Sequence, residues 1–229
     1  MGLITALLGI ALATPDAWPM LLSIILLFSV HHGLAKGALF LGVGISSTGP
    51  RWTGWALTLP ALALVGAPLT SGALIKPFFK EVALNAPGSW PLWMPDLLSL
   101  SSVATGLLMV RFLVLAWPRN PQSRLQPALG VPWIILLGMI LLLPVWIEST
   151  HSGVIMSSLQ PEALLNAGLV LVAVGAISGI AWGIQLKTGL CFRVPEGDLL
   201  ILFKWSSEFL STGQTRWGRK PRSGLAAIH

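Results

Sequence analysis

Two histidines and a lysine lie close together in a stretch of sequence that is otherwise apolar or small. The stretch covers residues 29–44 and reads SVHHGLAKGALFLGVG. His32 and Lys36 are four residues apart, so a helix would place both side chains on one face. A lysine in a low-dielectric setting can release and rebind a proton, and histidine exchanges protons near neutral pH. The spacing therefore predicts a two-step proton relay.

A second group of candidate residues follows in GAPLTSGALIKPFFKE, residues 66–81. Pro68 removes a backbone hydrogen bond in the middle of an apolar segment, and the small residue Gly72 comes soon after it. Inside a membrane such a break is tolerated only where protein or a water-filled cavity satisfies the freed backbone groups. Broken helices recur at ion-transport sites. We therefore expect Pro68 and Gly72 to form a helix break, with Lys76 as a further ion-carrying group beside it.

Simpler interpretations of these basic residues stay open. Lys36 could extend to the membrane surface, although it lies seventeen residues into the apolar run 19–45 and is too deep to do so easily. The histidines could simply bond backbone carbonyls. Lys76 could serve with Lys80 as an interfacial anchor. Arg111 lies a few residues before Trp117, so extension of its side chain to the interface is the better interpretation for it.

Other kinds of site are disfavoured by what the sequence lacks. The adjacent His31 and His32 could in principle ligate haem or a metal, but His151 and His229 lie in a loop and at the chain end. The single cysteine, Cys191, excludes an internal disulfide framework and a cysteine-based metal cage. The sequence contains no glycine-rich phosphate loop, Ser-His-Asp candidate set or paired intramembrane carboxylates. It therefore predicts no metal and no cofactor.

The composition indicates which elements must position these residues. Hydrophobic residues make up 54% of the 229 residues and charged residues 10%, whereas soluble domains carry about 25% charged residues. The mean hydropathy is +0.79. Eleven tryptophans and no tyrosine suit a protein that uses tryptophan as its interfacial anchor. The sequence therefore predicts an all-α integral membrane protein.

We predict about six transmembrane segments, one of them discontinuous. Residues 2–14 are apolar but shorter than the roughly 20 residues that span a bilayer. The five long segments are 19–45, 53–79, 97–117, 128–147 and 163–186. Segment 53–79 contains the expected break. Residues 1–186 form the predicted transmembrane domain, and 187–229 form a basic tail in which GDLLILFKWSSEFL could be an interfacial helix.

The distribution of charge predicts an orientation. The net charge is +6, and seven of the fourteen lysines and arginines lie from Lys187 onward. With this tail in the cytoplasm, the other cytoplasmic loops contain Arg51, Arg119 and Arg124, and the outer loops contain one basic residue, Lys80. This asymmetry follows the positive-inside rule and predicts that both termini are cytoplasmic. Binding of nucleic acid is the lesser interpretation of the tail.

The two motifs together resemble a known family. HHGLAKGALFLGVG resembles the His-Ala-x-x-Lys-Ala-x-x-Phe-Leu-x-x-Gly helix of the antiporter-like proton-translocating membrane subunits. That family covers the large membrane subunits of respiratory complex I, Mrp-type Na⁺/H⁺ antiporters and the membrane arms of energy-conserving hydrogenases. About thirty residues on, LPALALVGAPLTSGALIKPFFKE is similar to the discontinuous helix of the family. Arg111 in VRFLVL matches an arginine near the end of the following family helix.

The resemblance implies a role for several residues. His32 and Lys36 would belong to a central hydrophilic axis along which protons pass, and Lys76 would be the lysine of the broken helix near the outer exit. The chain would be a proton- or sodium-translocating subunit, not catalytic alone. It would belong to an NADH:quinone oxidoreductase-like, hydrogenase-like or antiporter complex, in a prokaryotic cytoplasmic membrane.

The departures from the family imply a partner. Family members are usually twice as long, with two inverted repeats, and this chain resembles only the second repeat and the helices after it. MGLITALLGIALA resembles the end of a family helix that begins earlier. Phe28 stands where the family has a histidine, and Gly33 and Gly37 stand where it has alanines. The glutamate and lysine of the first repeat are missing. We therefore expect another membrane subunit to supply the first repeat; the alternative is a non-conducting scaffold or anchor subunit.

Overall fold

A computed structural model describes residues 2–46, 49–84, 86, 88–118 and 125–188, and within these ranges the secondary structure is entirely helical. A single 3₁₀ turn, Pro15–Ala17, connects the first two helices. The helices in chain order are α1 Gly2–Ala13, α2 Trp18–Ser46, α3 Trp52–Val65, α4 Ser71–Leu84, α5 Trp90–Ala116, α6 Pro127–Thr150, α7 Val154–Ser158 and α8 Pro161–Thr188.

Four of these helices, α2, α5, α6 and α8, are long and apolar enough to cross a membrane. The helices α1 and α3 are apolar but shorter. The described residues are thus all-helical, as predicted, and the four long helices fit an integral membrane protein. The six predicted segments correspond to these four helices, to the short α1, and to a pair of short helices where segment 53–79 was expected.

Most boundaries follow the apolar runs, with one clear difference. Helix α5 begins at Trp90, well before the predicted start at residue 97. Pro91 occupies one of the first helical positions, where a backbone N–H would have no partner within the helix, so it suits a helix start. Pro95 lies inside the helix. Both prolines precede the predicted start of the helix at residue 97. In the structure both belong to α5.

The predicted segment 53–79 is divided by a break at residues 66–70. Helix α3 ends at Val65, and the next residue, Gly66, has a left-handed φ of 80°, which is typical of a glycine that terminates a helix. Pro68 lies within the break, and α4 begins at Ser71. Leu69 also has a positive φ of 64°, which is uncommon for a residue with a side chain. The break therefore contains Pro68, while Gly72, the other residue of the predicted break, lies in the first turn of α4.

Helix α2 lies at the centre of the packing and contacts α1, α3, α4 and α6. Its first half packs with α1, α4 and the end of α6, and its second half packs with α3 and the start of α6. The indole Nε1 of Trp133 on α6 donates a hydrogen bond of 2.9 Å to the carbonyl of Ala38. Elsewhere in the bundle, Val174 of α8 packs closely against Gly106 of α5. Helix α2 is thus held by several neighbours at once.

The chain divides into two compact units, Met1–Ala181 and Trp182–His229. The described residues of the second unit are Trp182–Thr188, the last residues of α8. The predicted interfacial helix at 197–210 and the basic tail from residue 189 onward lie outside the described residues, as do Arg119 and Arg124.

Candidate site at the helix break

The end of α3 presents a backbone carbonyl to a lysine. The N–H groups of Gly66 and Ala67 both donate to the carbonyl of Leu62, at 3.0 Å each, and close the last turn of the helix. The carbonyl of Val65 accepts a hydrogen bond of 2.9 Å from Nζ of Lys76. The last carbonyls of a helix have no partner within it and form its negative end. A lysine at this position therefore complements the end of α3.

Helix geometry explains how Lys76 reaches the break. Lys76 belongs to the second turn of α4, and side chains of a helix lean toward its N-terminus. The side chain therefore extends back toward Ser71 and reaches the end of α3. A Cβ on Gly66 would lie 2.6 Å from both Cε and Nζ of Lys76. Glycine at position 66 thus provides both the left-handed turn and the room for the amine.

Gly72 lets the two short helices approach each other. A Cβ built on Gly72 would overlap the backbone carbonyl oxygen of Ala63 in α3. Backbone atoms cannot move aside as the end of a flexible side chain can, so a side chain at this position would separate the first turn of α4 from the last turn of α3. Of the two predicted break residues, Pro68 lies in the non-helical connection and Gly72 in the first turn of α4.

His31 connects the middle of α2 to the start of α4. Its side chain is 2% exposed, and its Nδ1 is 2.8 Å from the hydroxyl oxygen of Ser71, which is also buried. Successive residues of an α-helix point in directions about 100° apart. His31 therefore faces α4, while His32 points to a different side of α2. The sequence predicts at most a possible role for His31, and no local pattern identifies Ser71 as its partner.

His32 lies in an aromatic setting. Its ring stacks on Phe28, with centroids 5.4 Å apart and planes 24° apart, and Phe28 also meets Phe79 of α4 edge-on at 5.0 Å. Nε2 of His32 is buried and has no hydrogen-bond partner among the described residues. Phe28 thus joins His32 to α4 through ring contacts rather than through hydrogen bonds.

Lys36 and Arg111 lie away from the break. Lys36 is exposed on α2, one turn beyond His32, and Arg111 is exposed on α5. The structure therefore divides the predicted site residues into two groups. His31 and Lys76 contact the residues at the two ends of the break, Ser71 and Val65, while Lys36 and Arg111 face outward.

The arrangement at the break is suited to holding protons. An amine on a backbone carbonyl and an imidazole beside a hydroxyl are both groups that gain and lose protons. In the described part of the chain, no group of three or more His, Cys, Asp or Glu side chains is arranged to hold a metal ion. The side chains gathered here are therefore groups that can bind and release protons.

No protein-family model matches the chain, and no curated protein matches it either. The resemblance to the antiporter-like subunits therefore rests on the two motifs of the sequence and stays a prediction.

Proposed function

We propose that the chain is a proton- or sodium-translocating membrane subunit, forming half of the channel of an antiporter-like subunit in a redox-linked or antiporter complex. The observation that supports this most directly is the hydrogen bond between Lys76 and the carbonyl of Val65 at the end of a broken helix. Broken helices whose ends face an ionisable group recur in ion transporters. An ionisable residue at membrane depth is itself an indication of function.

In the proposed mechanism, protons pass between His32, Lys36 and Lys76 along a hydrated path. When Lys76 gives up its proton, its hold on the carbonyl of Val65 weakens, since a hydrogen bond from a charged donor is stronger than one from a neutral donor. Water can then reach the break. A proton that arrives at one lysine disfavours a charge on its neighbour by like-charge repulsion, which couples the sites.

The proposed setting is a prokaryotic cytoplasmic membrane, with both termini in the cytoplasm. The partners are other membrane subunits, including one that supplies the missing first repeat, together with the lipid bilayer. A nucleic acid is not among the proposed partners. Energy would come from a redox module or from an opposing ion gradient of the complex.

A second candidate function is a non-conducting scaffold or anchor subunit of such a complex. The observation that favours it is the exposure of Lys36, which lies away from Val65 and Ser71, the residues at the two ends of the break. In this case the lysines would stabilise the fold or an interface and would carry no ions.

Ion translocation by the complete purified complex in proteoliposomes tests the first candidate against the second. We expect Lys76→Ala and Lys36→Ala each to lower the initial rate of pumping per assembled complex at least tenfold, with the amount of assembled complex measured on a native gel. Lys187→Ala, which removes a lysine from the exposed end of α8, is the matched control and should pump at the original rate. A protonophore and a sodium ionophore, added separately, identify the ion.

Full pumping by both lysine variants would reject the translocation proposal and favour the scaffold. Loss of pumping in the Lys187→Ala control would show that the assay responds to any removed charge.

A further inference from the structure

Lys36 lies deep within a spanning helix. Helix α2 runs from Trp18 to Ser46, and Lys36 comes ten residues before its end, a distance of about 15 Å at the rise of an α-helix. The hydrocarbon core of a bilayer is about 30 Å thick, so this depth exceeds what the four-carbon stem of a lysine can span. Arg111, by contrast, is five residues from the end of α5 at Ala116. It can extend its side chain to the interface.

The face of α2 that carries Lys36 has no neighbour within the described residues of the first unit. Its exposed members include Leu26 at 58%, Val30 at 45% and Phe40 at 74%, and Phe40 comes one turn after Lys36. A Cβ on Gly33, between Val30 and Lys36, would meet nothing within 4 Å. The other sides of α2 pack against α1, α3, α4 and α6. A deep lysine thus lies on an open and largely apolar side of α2.

Neither lipid nor the described part of a second copy of this chain suits this face. Lysine is rare against lipid at this depth, since residues of this kind almost always pair or face a cavity within a bundle. A second copy would bring apolar side chains or another lysine, because the acidic residues of the described chain lie close to the ends of helices or in turns. These residues are Asp16, Glu81, Asp96, Glu148 and Glu162.

We propose that this face of α2 binds a membrane-spanning helix of a different chain, and that this helix presents an aspartate or glutamate at the depth of Lys36. The lysine and the carboxylate would neutralise each other, and Val30 and Phe40 would pack against apolar residues on either side of the pair. Gly33 leaves room for a close approach. The inference goes beyond the proposed function, since it holds whether or not ions pass through the complex.

Photo-crosslinking in native membranes tests the identity of the occupant without changing Lys36. A benzophenone amino acid replaces Phe40, and in the matched control it replaces Leu108, which is 60% exposed on α5. We expect Phe40 to yield one cross-linked membrane-spanning peptide from another chain with an Asp or Glu in its central third, and Leu108 to yield lipid adducts. Cross-links from Phe40 to lipid, to this chain itself or to a helix without a carboxylate would overturn the proposal.

A charge exchange then tests the pairing. We expect Lys36→Glu to reduce the recovered complex at least tenfold, and replacement of the identified carboxylate by lysine in the partner to restore it. Circular dichroism of the purified Lys36→Glu chain checks that it still folds, and Lys187→Glu should leave recovery unchanged. Failure of the exchange to restore assembly would reject the pairing. If the exchange restores assembly but the complex with the original Lys36 pumps no ions, the interface stands and the translocation proposal fails.

Discussion

Two lysines of this chain, Lys36 and Lys76, occupy opposite surroundings although both belong to apolar segments. Lys76 lies beside the end of a helix and donates a hydrogen bond to the carbonyl of Val65. Lys36 lies within an unbroken helix and is exposed. The difference follows from the backbone. A regular helix uses its own carbonyl groups, whereas a helix end leaves carbonyl groups free to accept from a side chain.

The difference between the two lysines indicates how a chain of this kind can accommodate an intramembrane cation. A break next to the lysine supplies an acceptor from the same chain, so Lys76 has a hydrogen-bond partner without any other chain. A lysine in a continuous helix has no such acceptor and depends on another helix. We therefore expect changes near Lys76 to affect the stability of the isolated chain, and changes near Lys36 to affect assembly.

The largest effect is expected from the glycines near the two lysines. Gly72→Ala places a Cβ against the carbonyl of Ala63, and we expect it to lower the free energy of unfolding by about 3 kcal/mol. Gly33→Ala meets open space and should raise the free energy of unfolding by about 0.5–1 kcal/mol through its better helix propensity. Unfolding of the purified chain in detergent, followed by circular dichroism, measures both. Equal effects of the two variants would contradict the contrast between the two regions.

The lysines themselves should give the next largest effect. Lys76→Met leaves the carbonyl of Val65 without its donor, and we expect a loss of about 2 kcal/mol in the free energy of unfolding. Lys36→Met replaces an exposed lysine that lies away from the contacts of the break, and it should change the same quantity by less than about 0.5 kcal/mol. The same unfolding assay measures both variants. A larger loss for Lys36→Met than for Lys76→Met would mean that Lys36 has an internal partner.

The smallest effect is expected at Leu69, within the break. Its φ of 64° is unfavourable for a residue with a Cβ, so Leu69→Gly should raise the free energy of unfolding by about 1 kcal/mol. Leu62→Gly is the matched control, since Leu62 is also partly exposed, at 42%, but lies in the regular part of α3. There glycine should lower stability by about 1 kcal/mol. If both variants changed the free energy of unfolding in the same direction, the backbone of Leu69 would not be strained.

Much of the fold could be predicted from the sequence because it follows from local properties. Long apolar runs predict the four long helices, since a spanning helix needs about 20 apolar residues. Pro68 with its small neighbours predicts the break, because proline removes a backbone donor. The apolar run places the start of α5 too late, at residue 97, because it excludes Pro91, and a proline near a helix start supports the helix.

The candidate site could be predicted only in part, because the contacts of a side chain depend on distant elements. The spacing of His32 and Lys36 indicates a shared helix face and does not indicate what lies against that face. His31 meets Ser71 because α4 packs on α2, and no local pattern contains that contact. The sequence likewise identifies Lys76 beside a break, while its hydrogen bond to Val65 depends on how α4 turns back.

The hydrogen bond from Trp133 to Ala38 gives the protein an internal optical probe. Trp133 is 0% exposed and fixed between α6 and α2, whereas most of the other tryptophans of the described chain are exposed. An enclosed indole emits at shorter wavelength than an exposed one and is poorly accessible to quenchers in water or lipid. The emission that survives quenching therefore reports on the α2–α6 contact, and it allows a spectroscopist to follow the centre of the bundle without a label.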